Sequence, residues 1–196
     1  MNNRLRYLIY ALVLPFIAIG QANETIVNRL SVTGVHVGLI SEYSQINGEV
    51  GLDIGWSIGL QTQSAFIGYY GTESDFGRHE ISISELADEY EVGFRQRGLW
   101  VGIAPNSRNR VHFYGQARFG WGRIKLEPEN LDDSLTDKIN AITADIGIEV
   151  NVFSWFKLAV TGGYRLVNGV TRLPGLNNRD FNSPVGTLTC RFGWNR

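Results

Sequence analysis

The sequence predicts an all-β chain folded as an eight-stranded antiparallel up-and-down transmembrane β-barrel. Three observations lead there. Apolar and polar residues alternate with a period of two through segment after segment, while helical periodicity is nearly absent. The connections alternate between short turns and long loops, the asymmetry of an outer-membrane barrel. The less apolar faces carry glycines and isolated charges rather than a solvated lawn of Lys, Glu and Thr. The 23 glycines, 5 prolines and 12% aromatics suit closely approaching strands.

The first residues set the compartment. Arg4 and Arg6 precede an uncharged, mostly apolar run from Tyr7 to Ile19, and the small residues Gly20 and Ala22 stand at −3 and −1 of a cut before Asn23. This reads as a secretory signal peptide over residues 1–22, with the barrel domain over 23–196. The run spans 13 residues, short of the roughly 20 that cross a bilayer as a helix. Cys190 is the single cysteine, which excludes an intrachain disulfide framework and a Cys-based metal site. The formal net charge of −1 gives no footprint for nucleic acid.

The strands follow in order. In VHVGLISEY, Val35, Val37, Leu39 and Tyr43 share one face, and Ile40 breaks the pattern. Asn47-Gly48 supplies a tight hairpin. EVGLDIGWSIGL then alternates strictly: Val50, Leu52, Ile54, Trp56, Ile58 and Leu60 against Glu49, Gly51, Asp53, Gly55, Ser57 and Gly59. SAFIGYYG is a third strand of unassigned phase. EYEVGFRQRGLWVGIA is the fourth; Val92 and Phe94 lie on the apolar face before Gly98, and Leu99, Val101 and Ile103 after it, which predicts a β-bulge at the change. The fifth sets Val111, Phe113, Ala117, Phe119 and Trp121 against His112, Tyr114, Gln116 and Arg118. The sixth sets Ile142, Ala144, Ile146, Ile148, Val150 and Val152 against Thr143, Asp145, Gly147, Glu149 and Asn151. FKLAVTGGYRLVN and VGTLTCRFGW complete the eight. The long connections are 72–89, 125–139 and 169–184.

The apolar faces are expected to point outward to lipid. The interior then holds a structural charge network of six acids, Glu42, Glu49, Asp53, Glu91, Asp145 and Glu149, and six bases, Arg95, Arg97, Arg118, Lys157, Arg165 and Arg191. Buried charges need this balance. Asp145 and Glu149 have Lys157 and Arg165 as neighbouring partners, while Asp53 and Glu49 need arginines reaching across the interior. Trp100, Trp155, Phe156 and Trp194 are expected at the short-turn rim, and Tyr43, Trp121 and Tyr164 toward the long loops, as two aromatic girdles. Trp56 falls mid-strand and outside both.

SQINGEVGLDIGWSIG and GYRLVNGVTRLPGLNNRDFNSPVGTLTCRFGW resemble a family of small, uncharacterised outer-membrane β-barrel proteins of Gram-negative bacteria, with similarity over most of residues 23–196. The resemblance implies an eight-stranded barrel in the outer membrane and transfers no catalytic residue. Phe192-x-Trp194 is similar to the aromatic signal read by the barrel-assembly machinery; here Asn195 and Arg196 follow it.

The leading functional expectation is a monomeric, non-enzymatic envelope or surface-interaction protein with a side-chain-filled lumen, seated in outer-membrane lipid, without cofactor or metal and with no ligand named. The acidic residues of 72–89 and 125–139, Asp132, Asp133 and Asp137 among them, read as solvated loops. One alternative is a barrel lipid hydrolase, for which RHEISIS offers His79 with Ser82 and Ser84. Another is a soluble periplasmic lipocalin-like ligand-binding barrel, which requires the apolar faces to point inward.

Overall fold

The computed structural model describes residues 32–46, 49–74, 80–82, 89–128, 135–173 and 175–195. The strands are β1 (Gly34–Ile46), β2 (Glu49–Gln61), β3 (Ala65–Glu73), β4 (Glu80–Ser82), β5 (Glu89–Ile103), β6 (Val111–Pro128), β7 (Leu135–Phe153), β8 (Phe156–Asn168) and β9 (Ser183–Asn195). All pairings among the described residues are antiparallel and join chain neighbours, except that β3 pairs with β5 and β1 with β9. The pairing of β1 with β9, from Gly34↔Asn195 to Ser44↔Val185, closes the sheet into an eight-stranded barrel. The three-residue β4 prolongs the β5 edge beyond the end of β3.

The wall's two faces are set by strand alternation. Val50, Ile54, Trp56, Ile58 and Leu60 of β2 are 41–67% exposed on the outer wall, and Asp53 and Ser57 are buried inside. The apolar face therefore points outward, which removes the premise of a lipocalin-like interior. β3 takes its phase from Phe66, Tyr70 and Thr72, all buried, with Ile67 outside. Ile40, which breaks the sequence pattern, points inward with Phe66, Tyr70, Trp100 and Tyr114.

Two expectations are corrected. β5 has no bulge at Gly98: its register with β6 runs unbroken from Tyr90↔Pro128 to Ile103↔Gly115. Val92, Phe94, Gln96 and Trp100 all point inward, and Arg95, Arg97, Leu99 and Ile103 outward. Gly98 keeps the phase because a Cβ there would strike the Phe119 carbonyl oxygen of β6. Arg95 and Arg97 thus belong to the outer wall. The second correction concerns 125–139. β6 and β7 stay paired as far as Leu126↔Leu135, so residues 125–126 and 135–139 of this predicted loop are ladder.

Seven aromatic residues of the outer wall form two contact patches. Phe153 stacks on Trp155 at 5.4 Å, and Phe156 on Phe192 at 5.0 Å, beside the β7–β8 turn. Tyr69 bridges Trp56, at 6.1 Å, and Trp121, at 6.3 Å. Trp56 thereby joins the patch toward the long connections. Trp100, expected at the rim, is instead fully buried in the interior. The Trp194 side chain lies outside the described residues.

Candidate functional site

The interior is built in three tiers. Beside the short turns, Trp100 packs edge-on against Phe66 at 4.6 Å and His36 at 5.4 Å, and Phe66 stacks on Tyr114 at 5.6 Å. The Trp100 indole N–H and the Tyr114 hydroxyl both donate to Gln116 Oε1, at 2.7 and 3.0 Å. The Arg191 guanidinium lies over Phe66 and Tyr114, 4.8 and 5.1 Å from the ring centres, and donates to Glu149. Glu149 also meets His112 at 2.9 Å and Lys157 at 3.8 Å.

The middle tier is ionic. Arg118 donates to Glu42 and, at 3.2 Å, to Asp145, which also accepts from the Thr187 hydroxyl at 3.1 Å. Arg165 reaches across to Asp53 at 3.0 Å and Glu42 at 3.3 Å. Eight of the twelve network residues expected from sequence are therefore buried and paired: Glu42, Asp53, Asp145 and Glu149 with Arg118, Lys157, Arg165 and Arg191. Lys157 meets Glu149 as anticipated, and the other partners differ. Arg165 serves β1 and β2 rather than its neighbour β7, and Arg191 serves Glu149. Arg95 and Arg97 face outward. The Glu49 and Glu91 side chains lie outside the described residues. His36, also inside, is held by rings rather than by this network.

The third tier is apolar and was missed in the sequence. Val92, Phe94, Ile124, Leu126, Ile139 and Val167 form an inner ring toward the long connections, and Val170, Leu173, Leu176 and Phe181 descend onto it from the β8–β9 connection. Phe94 stacks on Phe181 at 6.4 Å, and Arg165 lies over Phe94 at 4.6 Å, which ties this tier to the ionic one. The connection is a folded cap. Its 3₁₀ turn, Asn178–Phe181, is closed by a capping box: the Arg179 amide donates to the Asn177 side chain at 2.9 Å and the Asn177 amide to Asp180 at 2.7 Å. The Val170 and Val167 amides donate to the side chains of Asn178 and Asn182, at 2.8 and 2.6 Å. Four apolar residues inside a polar stretch were the available signal.

Asp137 anchors the cap. The expectation of a solvated loop acid is corrected here: the residue is buried on β7. Its Oδ2 accepts from the Thr171 and Arg172 amides, both at 2.7 Å. Burial by itself raises the Asp137 carboxyl, but the Arg172, Thr171 and Leu173 amides and the Thr171 hydroxyl bring it below its usual value. A carboxyl depressed in the folded state contributes stability above its ordinary value of about 3.9. That contribution is lost as pH falls through the lower folded value. Asp137→Ala is expected to open the cap about tenfold more often at neutral pH, the order of a lost charge-assisted hydrogen bond. Amide exchange over 170–181 reads this directly; unchanged protection would show that the apolar residues alone hold the cap.

No protein-family model matches the sequence, and no characterised protein does. Among solved structures, the chain is similar to neisserial surface protein A, with a TM-score of 0.58 at 12% identity over 83% of this chain and 96% of that one. The N-terminal β-barrel domain of Pseudomonas aeruginosa OprF aligns with a TM-score of 0.49 at 11% identity, over 81% and 97% of the two chains. Ail, the attachment invasion locus protein of Yersinia pestis, aligns at 0.47 and 12%, over 82% and 97%. At these identities the first likeness is one of fold, the closed eight-stranded barrel.

Proposed function

We propose that the chain is a non-enzymatic integral outer-membrane barrel, its lumen filled by its own side chains, that acts in the envelope through its outer wall and its capped end. The inversion of ordinary burial carries this reading. Leu39, Ile58, Phe113, Ile146, Val160 and other large apolar residues stand on the outside, while Glu42, Arg118, Glu149 and Arg165 are sealed within. Water offers such a wall nothing, whereas a hydrocarbon layer solvates it, and closure satisfies every strand edge. An eight-stranded interior is just wide enough for side chains to fill, and three tiers occupy it here. The fold shared with a neisserial surface protein supports a place at the cell surface. Residues 1–22 then act as the export signal, and Phe192 with Trp194 marks the strand offered to the barrel-assembly machinery. The hydrolase reading has no support from the described histidines, since His112 is engaged by Glu149 and Asn109 and His36 packs among rings. His79, Ser84 and the Ser82 side chain lie outside the described residues.

The mature protein is expected to stay with outer membranes through carbonate extraction and to change gel mobility on heating. Purified protein in a planar bilayer is expected to give no steady conductance. Recovery from the soluble periplasm would sink the membrane reading, and stable conducting steps would replace the filled barrel with a narrow channel.

A further inference from the structure

On the outer wall, three basic residues stand directly opposite one another on adjacent strands: Arg95↔Arg123 across β5 and β6, and Arg123↔Lys138 across β6 and β7. Like charges in facing positions repel, so a sheet does not gather them without a counter-charge. Two positions nearer the short turns, the outward row is Arg97, Trp121 and Asn140. Between the rows lies a concavity of about 510 Å³, floored by the stretch Gln96–Gly122–Ile139. Glu73 meets Arg95 at 3.4 Å on the exposed surface. Arg97, Arg123 and Lys138 are exposed and have no carboxylate partner among the described residues. The site is therefore a cluster of cationic donors with Trp121 at its lower edge.

The same three strands, together with β8, carry a second concavity further toward the short turns. It measures about 800 Å³, is almost wholly apolar, and lies over Gly115, Ala117, Ala144 and Gly162 between Ile103, Ile146 and Tyr164. Small residues there make a trough in a wall that is elsewhere studded with large side chains. From Trp121 to Ala117 is four residues of β6, about 13 Å at strand rise.

We propose that this face of β5, β6 and β7 binds a phosphate-bearing lipid, its headgroup on Arg97, Arg123 and Lys138 and an acyl chain in the Gly115–Ala144 trough. The proposal rests on the membrane reading above, because only a lipid-facing wall presents both concavities to one amphipathic molecule. Guanidinium pairs suit phosphate through paired donors, and Lys138 adds a point charge. Trp121 lies at the boundary between the two halves, where an indole's apolar ring and polar N–H are both accommodated.

The test uses the full mature chain in uncharged detergent micelles. Its probes are dioleoyl phosphatidic acid, dioleoylglycerol with the same chains and no phosphate, and inorganic phosphate. Phosphatidic acid is expected to bind at least about tenfold more tightly than dioleoylglycerol. The variant Arg97→Gln/Arg123→Gln/Lys138→Gln is expected to lose that advantage, and Arg123→Gln alone to lose about fivefold. Ala144→Phe, which fills the trough, should weaken phosphatidic acid while leaving the basic cluster intact. Heat-dependent gel mobility confirms that each variant is folded. Equal binding of the two lipids, or unchanged affinity in the triple variant, overturns the proposal. Displacement by equimolar inorganic phosphate assigns the cluster to a free anion and overturns the lipid. Absence of the heat shift in the unsubstituted protein would instead count against the membrane barrel itself.

Discussion

Arg165→Ala is expected to destabilise the barrel by about 3–5 kcal/mol, the range for breaking a buried ion pair from one side. Among the described residues, Arg165 ties the ionic tier to the cap as well as to other strands. Its guanidinium holds Asp53 and Glu42 from β2 and β1, lies over Phe94 of β5, and donates through Nε to the Phe181 carbonyl of the cap at 3.4 Å. Removal leaves Asp53 without its ion-pair partner in a site closed to solvent, while Glu42 keeps Arg118. Arg165→Lys restores charge but not the planar fork, so it should recover only part of the loss. Asp53→Asn in the Arg165→Ala background should recover more, because the stranded charge is then gone. Urea unfolding in lipid vesicles, followed by gel mobility, measures all three. A loss below about 1 kcal/mol for Arg165→Ala would mean that water screens the network and that the interior is wet.

Trp100→Ala is expected to cost a similar amount, about 3–5 kcal/mol, through the cavity it opens. Trp100 is among the largest side chains fully buried in the barrel, wedged against Phe66 and His36. Its loss removes one of the two donors to Gln116, leaving the Tyr114 hydroxyl on that oxygen. Trp100→Phe keeps most of the volume and should cost less than half as much. A tryptophan on the lipid-facing rim would respond differently, since lipid would fill the space and the change would be small. Near-equal stability of Trp100→Ala and the unsubstituted protein would therefore put this side chain on the outer wall.

The barrel was legible because alternation survives wherever one face is the apolar outer wall and the other meets packed polar groups. β2 from Val50 and β7 from Ala141 onward read correctly, and so did the burial of Glu42, Asp53, Arg118, Asp145, Glu149 and Arg165. The strand failures share one cause. Period two says which residues share a face and not what lies beyond it. In β5 the inner face changes character along the strand, from apolar Val92 and Phe94 under the cap to polar Gln96 and then aromatic Trp100. Reading "apolar" as "outward" therefore inverted the upper half of the strand and carried Arg95 and Arg97 inside. The cap escaped notice because the i, i+3 spacing of Leu173 and Leu176 is interrupted by Pro174-Gly175, and Phe181 falls outside it. Cross-barrel pairs such as Arg165 with Asp53 depend on barrel curvature, which no local pattern encodes.

The order of the interior charges along the chain bears on how the barrel is assembled. Glu42 and Asp53 lie on β1 and β2, whereas Lys157, Arg165 and Arg191 lie on β8 and β9. Before the seam forms, the chain is an open ribbon whose leading edge is anionic and whose trailing edge is cationic on the same concave face. Such a ribbon is electrically polarised across its width, and its two edges attract over distances at which no hydrogen bond yet acts. The Glu42–Arg165 pair spans 123 positions of sequence, so the search it ends is a long one. Curling toward the anionic edge shortens that search and selects the inward direction of bending. The pairs of Arg165 with Glu42 and Asp53 thus double as a latch between the trailing strand β8 and the leading strands β1 and β2.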